Sequence, residues 1–110
     1  MPTQLDLEYA RRFRERAQEL HPEVVRQVRI FGSRARGDAR LDSDLDLFVL
    51  QRGDDRAVKM ELMGLAWDVA DELSLPYAPS PHVMSESHFQ RLLDLERRLA
   101  HDILSEGVEV

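Results

Sequence analysis

Two short stretches hold the residue types most suited to joint chemistry. In Ser43-Asp44-Leu45-Asp46-Leu47-Phe48-Val49, two carboxylates stand two residues apart in an apolar, β-rich run. Strand side chains alternate between faces. The spacing therefore predicts Asp44 and Asp46 on one face, with Leu45, Leu47 and Val49 pointing into a core. Neighbouring carboxylates repel unless a cation or proton sits between them. A hard divalent ion such as Mg²⁺ suits the place, because it takes oxygen ligands and shares them with substrate phosphates. Taken alone, most such pairs are explained by a solvated strand face.

The second stretch is Phe31-Gly32-Ser33-Arg34-Ala35-Arg36-Gly37, and ten residues separate its Ser33 from Asp44. Gly32 lets backbone approach a ligand closely. Ser33 opens a short helical turn, where a hydroxyl and free N–H groups can take a phosphate. Arg34 and Arg36 can add charge-assisted bonds. Gly-Ser after a strand is also what an ordinary turn looks like. Together, a phosphate cradle and a metal-binding pair are what nucleotide chemistry requires. Other motifs do not fit. Gly37 is followed by Asp38-Ala39, so there is no Walker loop. Asp42-x-Asp44-x-Asp46 begins like an EF-hand, but Leu47 and Gly53 stand where Gly and Glu are needed. The four His residues (21, 82, 88, 101) make no metal-binding pair on a helix face.

The elements that must position these residues follow from periodicity. Leu5, Tyr9, Phe13, Ala17 and Leu20 form one apolar stripe, predicting a helix from Thr3 to Leu20 with Thr3 and Asp6 as a capping box. Val24–Phe31 and Leu41–Leu50 read as strands, antiparallel because their connection is short. A helix capped at Gly53-Asp54-Asp55 runs to Leu73, with Val58, Leu62, Leu65, Ala66, Val69 and Leu73 inward. Pro76–Ser85 is a third strand, placed at an edge by its prolines. Ser85 caps a last helix from Glu86 to about Ser105, ended by Gly107, and Val108–Val110 adds a short strand. One α/β domain over residues 1–110 is expected, with a mixed sheet and helices packed on one side.

The composition narrows the function classes. A length of 110 residues suits a single domain, and 43% hydrophobic with 33% charged residues suits a globular one. No apolar run approaches a membrane span. Cysteine is absent, which removes thiolate nucleophiles, disulfides and Cys-based zinc sites and suggests a cytoplasmic setting. The net charge of −6 argues against a nucleic-acid track. Five arginines nevertheless fall between Arg26 and Arg40, which suits a small anionic ligand such as a nucleoside triphosphate. Met60, Met63 and Trp67 recur at helical spacing away from the core stripe. They are either the edge of a wide core or a contact surface for a second copy or a helical partner.

Gly32-Ser33, ten residues, then Asp44-x-Asp46 resembles the G-S-x10-D-x-D signature of the minimal nucleotidyltransferases of the DNA polymerase β-like superfamily. Arg34-Ala35-Arg36-Gly37-Asp38, Ser43 and Ile103-Leu104-Ser105-Glu106-Gly107-Val108 extend the likeness over nearly the whole chain. The resemblance implies a palm-like domain that binds ATP and Mg²⁺ and transfers AMP to a hydroxyl. Gly32 and Ser33 would hold the triphosphate and Asp44 and Asp46 the metal. It also implies a helical HEPN-family partner in a toxin–antitoxin pair. One feature departs from the family pattern: active members usually carry a third carboxylate on a later strand, and Tyr77–Ser85 has none. Tyr77, Ser80, His82 and Ser85 are its polar residues, and Glu86 lies just beyond. This leaves two functions in view, a Mg²⁺-dependent transferase and a nucleotide-binding module that acts by holding a partner protein.

Overall fold

The computed structural model describes all 110 residues. The chain begins with helix α1 (Gln4–Leu20), strand β1 (Val25–Phe31), the short helix α2 (Gly32–Arg36), strand β2 (Leu45–Gln51) and helix α3 (Arg56–Glu72). Strand β3 (Pro79–Ser85), helices α4 (Glu86–Asp94) and α5 (Arg98–Glu106) and strand β4 (Val108–Glu109) complete it. The helix starts have the chemistry expected of them. Thr3 Oγ1 accepts the Asp6 N–H at 3.1 Å, and Asp6 Oδ2 accepts the Thr3 N–H at 2.9 Å. Asp55 caps α3, and Ser85 caps α4.

The sheet order is β3-β2-β1-β4. β1 runs antiparallel to both β2 and β4, whereas β2 and β3 are parallel, joined across α3. β3 is thus an edge strand, as its prolines require. On one face Val28, Ile30, Leu45, Leu47, Val49 and Val83 pack against Tyr9, Phe13 and Ala17 of α1 and Leu62, Ala66 and Val69 of α3. This is the principal core. No helix is long and apolar enough to cross a membrane.

Three sequence expectations need correction. Helices cover both faces of the sheet, not one: α4 and α5 bring Phe89, Ala100 and Ile103 onto Phe31 and Phe48, and the Phe48 and Phe89 rings lie 4.8 Å apart. Burial of β2 on both faces explains its unbroken apolar run from Leu47 to Leu50. The last helix is two helices, broken at Leu95–Arg97, where Glu96 turns left-handed with φ 55°. The turn lets both halves face the same small patch of sheet. The second strand begins at Leu45, so residues 41–44 form a loop that leads into it.

The α3 face splits. Met63 packs against the principal core, while Met60 and Trp67 remain 59% and 51% exposed.

Candidate active site

Phe31 ends β1 opposite Asp46 of β2, and Asp46 in turn stands opposite Ser80 of β3. The register brings the Gly32-Ser33 turn, the aspartate pair and the start of β3 to one end of the sheet. Residues two apart on the β3 face, Ser80 and His82, share that end with Asp46. α4 and α5 cover Phe48 further along and leave Asp46 half-buried.

Gly32 and Asp46 are locked together. Gly32 has φ +73°, a left-handed conformation that favours glycine. A Cβ placed on it would overlap Asp46 Oδ2 and approach Asp46 Cγ to 3.1 Å. The carboxylate therefore rests directly against the backbone that opens α2. Asp44, just before β2, is exposed and close enough to repel Asp46. Burial pushes the Asp46 carboxyl above the usual carboxylate range, and Asp44 adds to this. His82 and Arg36 act in the opposite direction. His82 Nε2 lies 3.9 Å from Asp46 Oδ1 and 3.3 Å from Ser80 Oγ. Its ring meets Phe31 edge-on at 5.1 Å.

The two arginines diverge. Arg36 is half-exposed at the rim, bonded to Asp38 at 3.2 Å and to Glu106 of α5 at 3.1 Å. Arg34, expected at the phosphate, is instead buried in the fold. Its Nε and Nη2 donate to the Ser43 carbonyl at 3.0 and 2.8 Å, and Nη2 also reaches the Arg40 and Leu41 carbonyls at 3.3 Å. Its guanidinium lies 3.3 Å over the Tyr77 ring and pairs with Asp6 at 3.5 Å. Arg34 thus fastens the loop that delivers Asp44 and is not brought together with Ser33, Asp44 and Asp46.

Asp6 and Tyr77 complete this buried cluster, with the Tyr77 hydroxyl donating to Asp6. Burial, and then the Asp6 carboxylate, push Tyr77 up to about 12. Sequence reasoning gave Asp6 only its capping role. Nothing in the spacing of residues 6, 34 and 77 marks them as neighbours. β3 brings no carboxylate to the site, since Pro79–Ser85 contains neither Asp nor Glu.

Comparison with known proteins bears on the fold and the family. No curated protein matches the chain. Among solved structures, it is similar to a toxin–antitoxin complex crystallised with AMP-PNP, with a TM-score of 0.55 and 17% identity over 89% of this chain and 69% of that one. It is also similar to a mutant form of the toxin–antitoxin MntA-HpeT, with a TM-score of 0.52 and 17% identity over 91% of this chain and 70% of that one. These likenesses establish the fold. The sequence model of the nucleotidyltransferase domain matches residues 10–106, which take in every element from the middle of α1 to the end of α5. The chain is therefore a member of the nucleotidyltransferase domain family.

Proposed function

We propose that this domain binds ATP with Mg²⁺ and transfers AMP to a hydroxyl on a partner protein: the hydroxyl oxygen bonds to the α-phosphorus, the bond from that phosphorus to the β-phosphate bridging oxygen breaks, and pyrophosphate leaves. The observation that carries the reading is the packing of the Asp46 carboxylate against Gly32 at the start of α2. It makes one site of the carboxylate pair and the turn suited to phosphate. The residues fit Mg²⁺: Asp44 and Asp46 offer hard oxygen donors, and a site of one or two carboxylates completed by phosphate oxygens is ordinary for this ion. Mg²⁺ held there supplies charge stabilisation for the oxygens of the attacking and leaving groups. The chain's own contribution is to position. Gly32 gives close access, the Ser33 hydroxyl and the N–H groups of the first turn of α2 donate to the triphosphate, and Arg36 at the rim adds positive charge. Arg34 keeps Asp44 in place through the loop before β2.

The toxin–antitoxin likeness supports a protein as acceptor, and the family resemblance suggests a helical HEPN-type partner. Met60 and Trp67 offer it, or a second copy, an apolar contact on α3. The absence of cysteine suits a cytoplasmic setting.

A second reading is favoured by one observation: Ser80 and His82 occupy the β3 positions beside Asp46 where a third carboxylate would complete an active site. On that reading the domain binds nucleotide and neutralises its partner by contact alone. Incubation with ATP labelled at the α-phosphate, together with the neighbouring gene product and Mg²⁺, decides between them. Label on the partner that disappears with Asp46→Asn supports transfer. Mg-ATP binding without label supports the second reading, and no nucleotide binding refutes both.

A further inference from the structure

β2 and β3 are parallel, so the sheet has a second end where both strands finish. There Gln51 and Ser85 stand side by side in register. Between this end and the starts of α3 and α4 lies a cavity of about 290 Å³. It is remote from Asp46, at the opposite end of the same strands.

The floor of the cavity is polar and buried. Gln51 is 2% exposed and Ser85 9%. Gln51 Nε2 donates to the Asp55 carbonyl at 3.0 Å, but its amide oxygen has no partner in the protein. Every side-chain polar atom that is sealed from solvent does have one. The Gln51 oxygen therefore opens into the cavity whose wall it forms. An acceptor in this position asks a ligand for a hydroxyl or amine proton, because burying it unpaired is costly.

The rim has a different character. Lys59, the chain's single lysine, stands there with Arg91 and His88, and Ser87 contributes a hydroxyl. None of the three basic residues takes part in an ion pair. Of the two acidic residues at the cavity, Asp55 is engaged in capping, with Oδ1 bonded to the N–H groups of Ala57 and Val58 at 2.9 and 3.3 Å. That bonding turns the Asp55 charge toward the start of α3, and Asp54 is the acidic residue at the cavity with no bond of its own. In a protein of net charge −6, free cations gathered over a buried unpaired acceptor match an anionic ligand with a hydroxyl at its other end.

We propose that this cavity binds a small hydroxylated phosphate ester. Its phosphate meets Lys59 and Arg91, with His88 beside them, and its hydroxyl donates to Gln51 Oε1. The volume has room for a small free molecule. This inference does not depend on the function proposed for the Asp46 end of the sheet.

The test is titration of the full chain with glycerol 3-phosphate and with inorganic phosphate, followed by amide NMR shifts. The expected result is saturable shifts at Gly53, Ser87 and His88, with glycerol 3-phosphate bound more tightly than phosphate because it alone reaches Gln51. The double variant Lys59→Gln/Arg91→Gln changes exposed residues only, and its fold is checked by the unchanged shifts of core amides. It should bind glycerol 3-phosphate about tenfold more weakly, as loss of charge-assisted bonds implies. Shifts confined to Gly32 and Ser33 would overturn the proposal. So would equal affinity for the two probes, no saturable binding, or undiminished affinity in the double variant.

Discussion

Substituting alanine for Gly32 tests the joint between the phosphate turn and the carboxylate. Two costs follow from the structure. Gly32 has φ +73°, and an L-residue held in the left-handed region loses roughly 1–2 kcal/mol. The added methyl also overlaps Asp46 Oδ2, so the carboxylate must leave its rotamer or the turn must open, at about 0.5–1.5 kcal/mol. The lower entropy of the unfolded alanine chain offsets roughly 0.4–1 kcal/mol. Gly32→Ala should therefore destabilise by about 2 kcal/mol, a fall in Tm on the order of 10 °C for a domain of this size. Gly53 supplies the control. It has φ +77°, and a Cβ there meets nothing within 4 Å, so Gly53→Ala incurs only the backbone strain, about 1 kcal/mol net. Thermal unfolding of both variants, with calorimetric titration of Mg-ATP, separates strain from displacement. Gly53→Ala should bind Mg-ATP as the wild type does, whereas Gly32→Ala should bind at least about tenfold more weakly, or 1.4 kcal/mol. Wild-type affinity in Gly32→Ala would show that the position of Asp46 against the turn does not matter for nucleotide.

Arg34→Met should destabilise by about 3 kcal/mol, because it leaves Asp6 as a buried, unpaired charge and frees three carbonyls. Arg34→Lys should not restore stability, since an ammonium cannot reproduce the planar fork or the stack on Tyr77; denaturant unfolding reads both. Asp46→Asn should stabilise the metal-free protein at pH 7. Because burial raises the Asp46 carboxyl, the native state holds more protons than the unfolded chain just above the ordinary carboxylate range. Wild-type stability then falls as pH rises through that window, and the asparagine variant lacks this loss. Its advantage should vanish below the ordinary range, and an unchanged gap from pH 3 to pH 7 would refute the assignment. Trp67→Ala should leave the monomer folded, because the ring is half-exposed, but weaken association with a partner by on the order of 2 kcal/mol in sedimentation.

What could be read from the sequence was local or periodic. The capping box at Thr3, the inward stripe of α3 and the alternation that buries Leu45, Leu47 and Val49 each depend on neighbours in the chain, and each is present. The Gly32-Ser33 turn and the aspartate pair stand out in the sequence by their spacing, and the fold brings them to one end of the sheet. The second layer of helices was not anticipated, although the unbroken apolar run of β2 contained the signal. The break at Glu96 had none, for no glycine or proline marks it. It arises because Phe89 and Ile103 must meet the same aromatic patch. Arg34 was misplaced for a related reason. An arginine beside a phosphate turn looks like a ligand, and only the folded chain brings Asp6, Tyr77 and three loop carbonyls around it.

The proline content of β3 has a consequence beyond the position of that strand. Pro79 and Pro81 lie two residues apart, so their nitrogens fall on the same side of the strand. Pairing with β2 continues without a break from Pro79 to Ser85, which leaves that side as the outer one. A second strand docking there would find two donors missing. At the opposite border β4 offers only two residues. Both borders of the native sheet are therefore poor templates for an added strand, which favours the helical faces for any assembly of the folded domain.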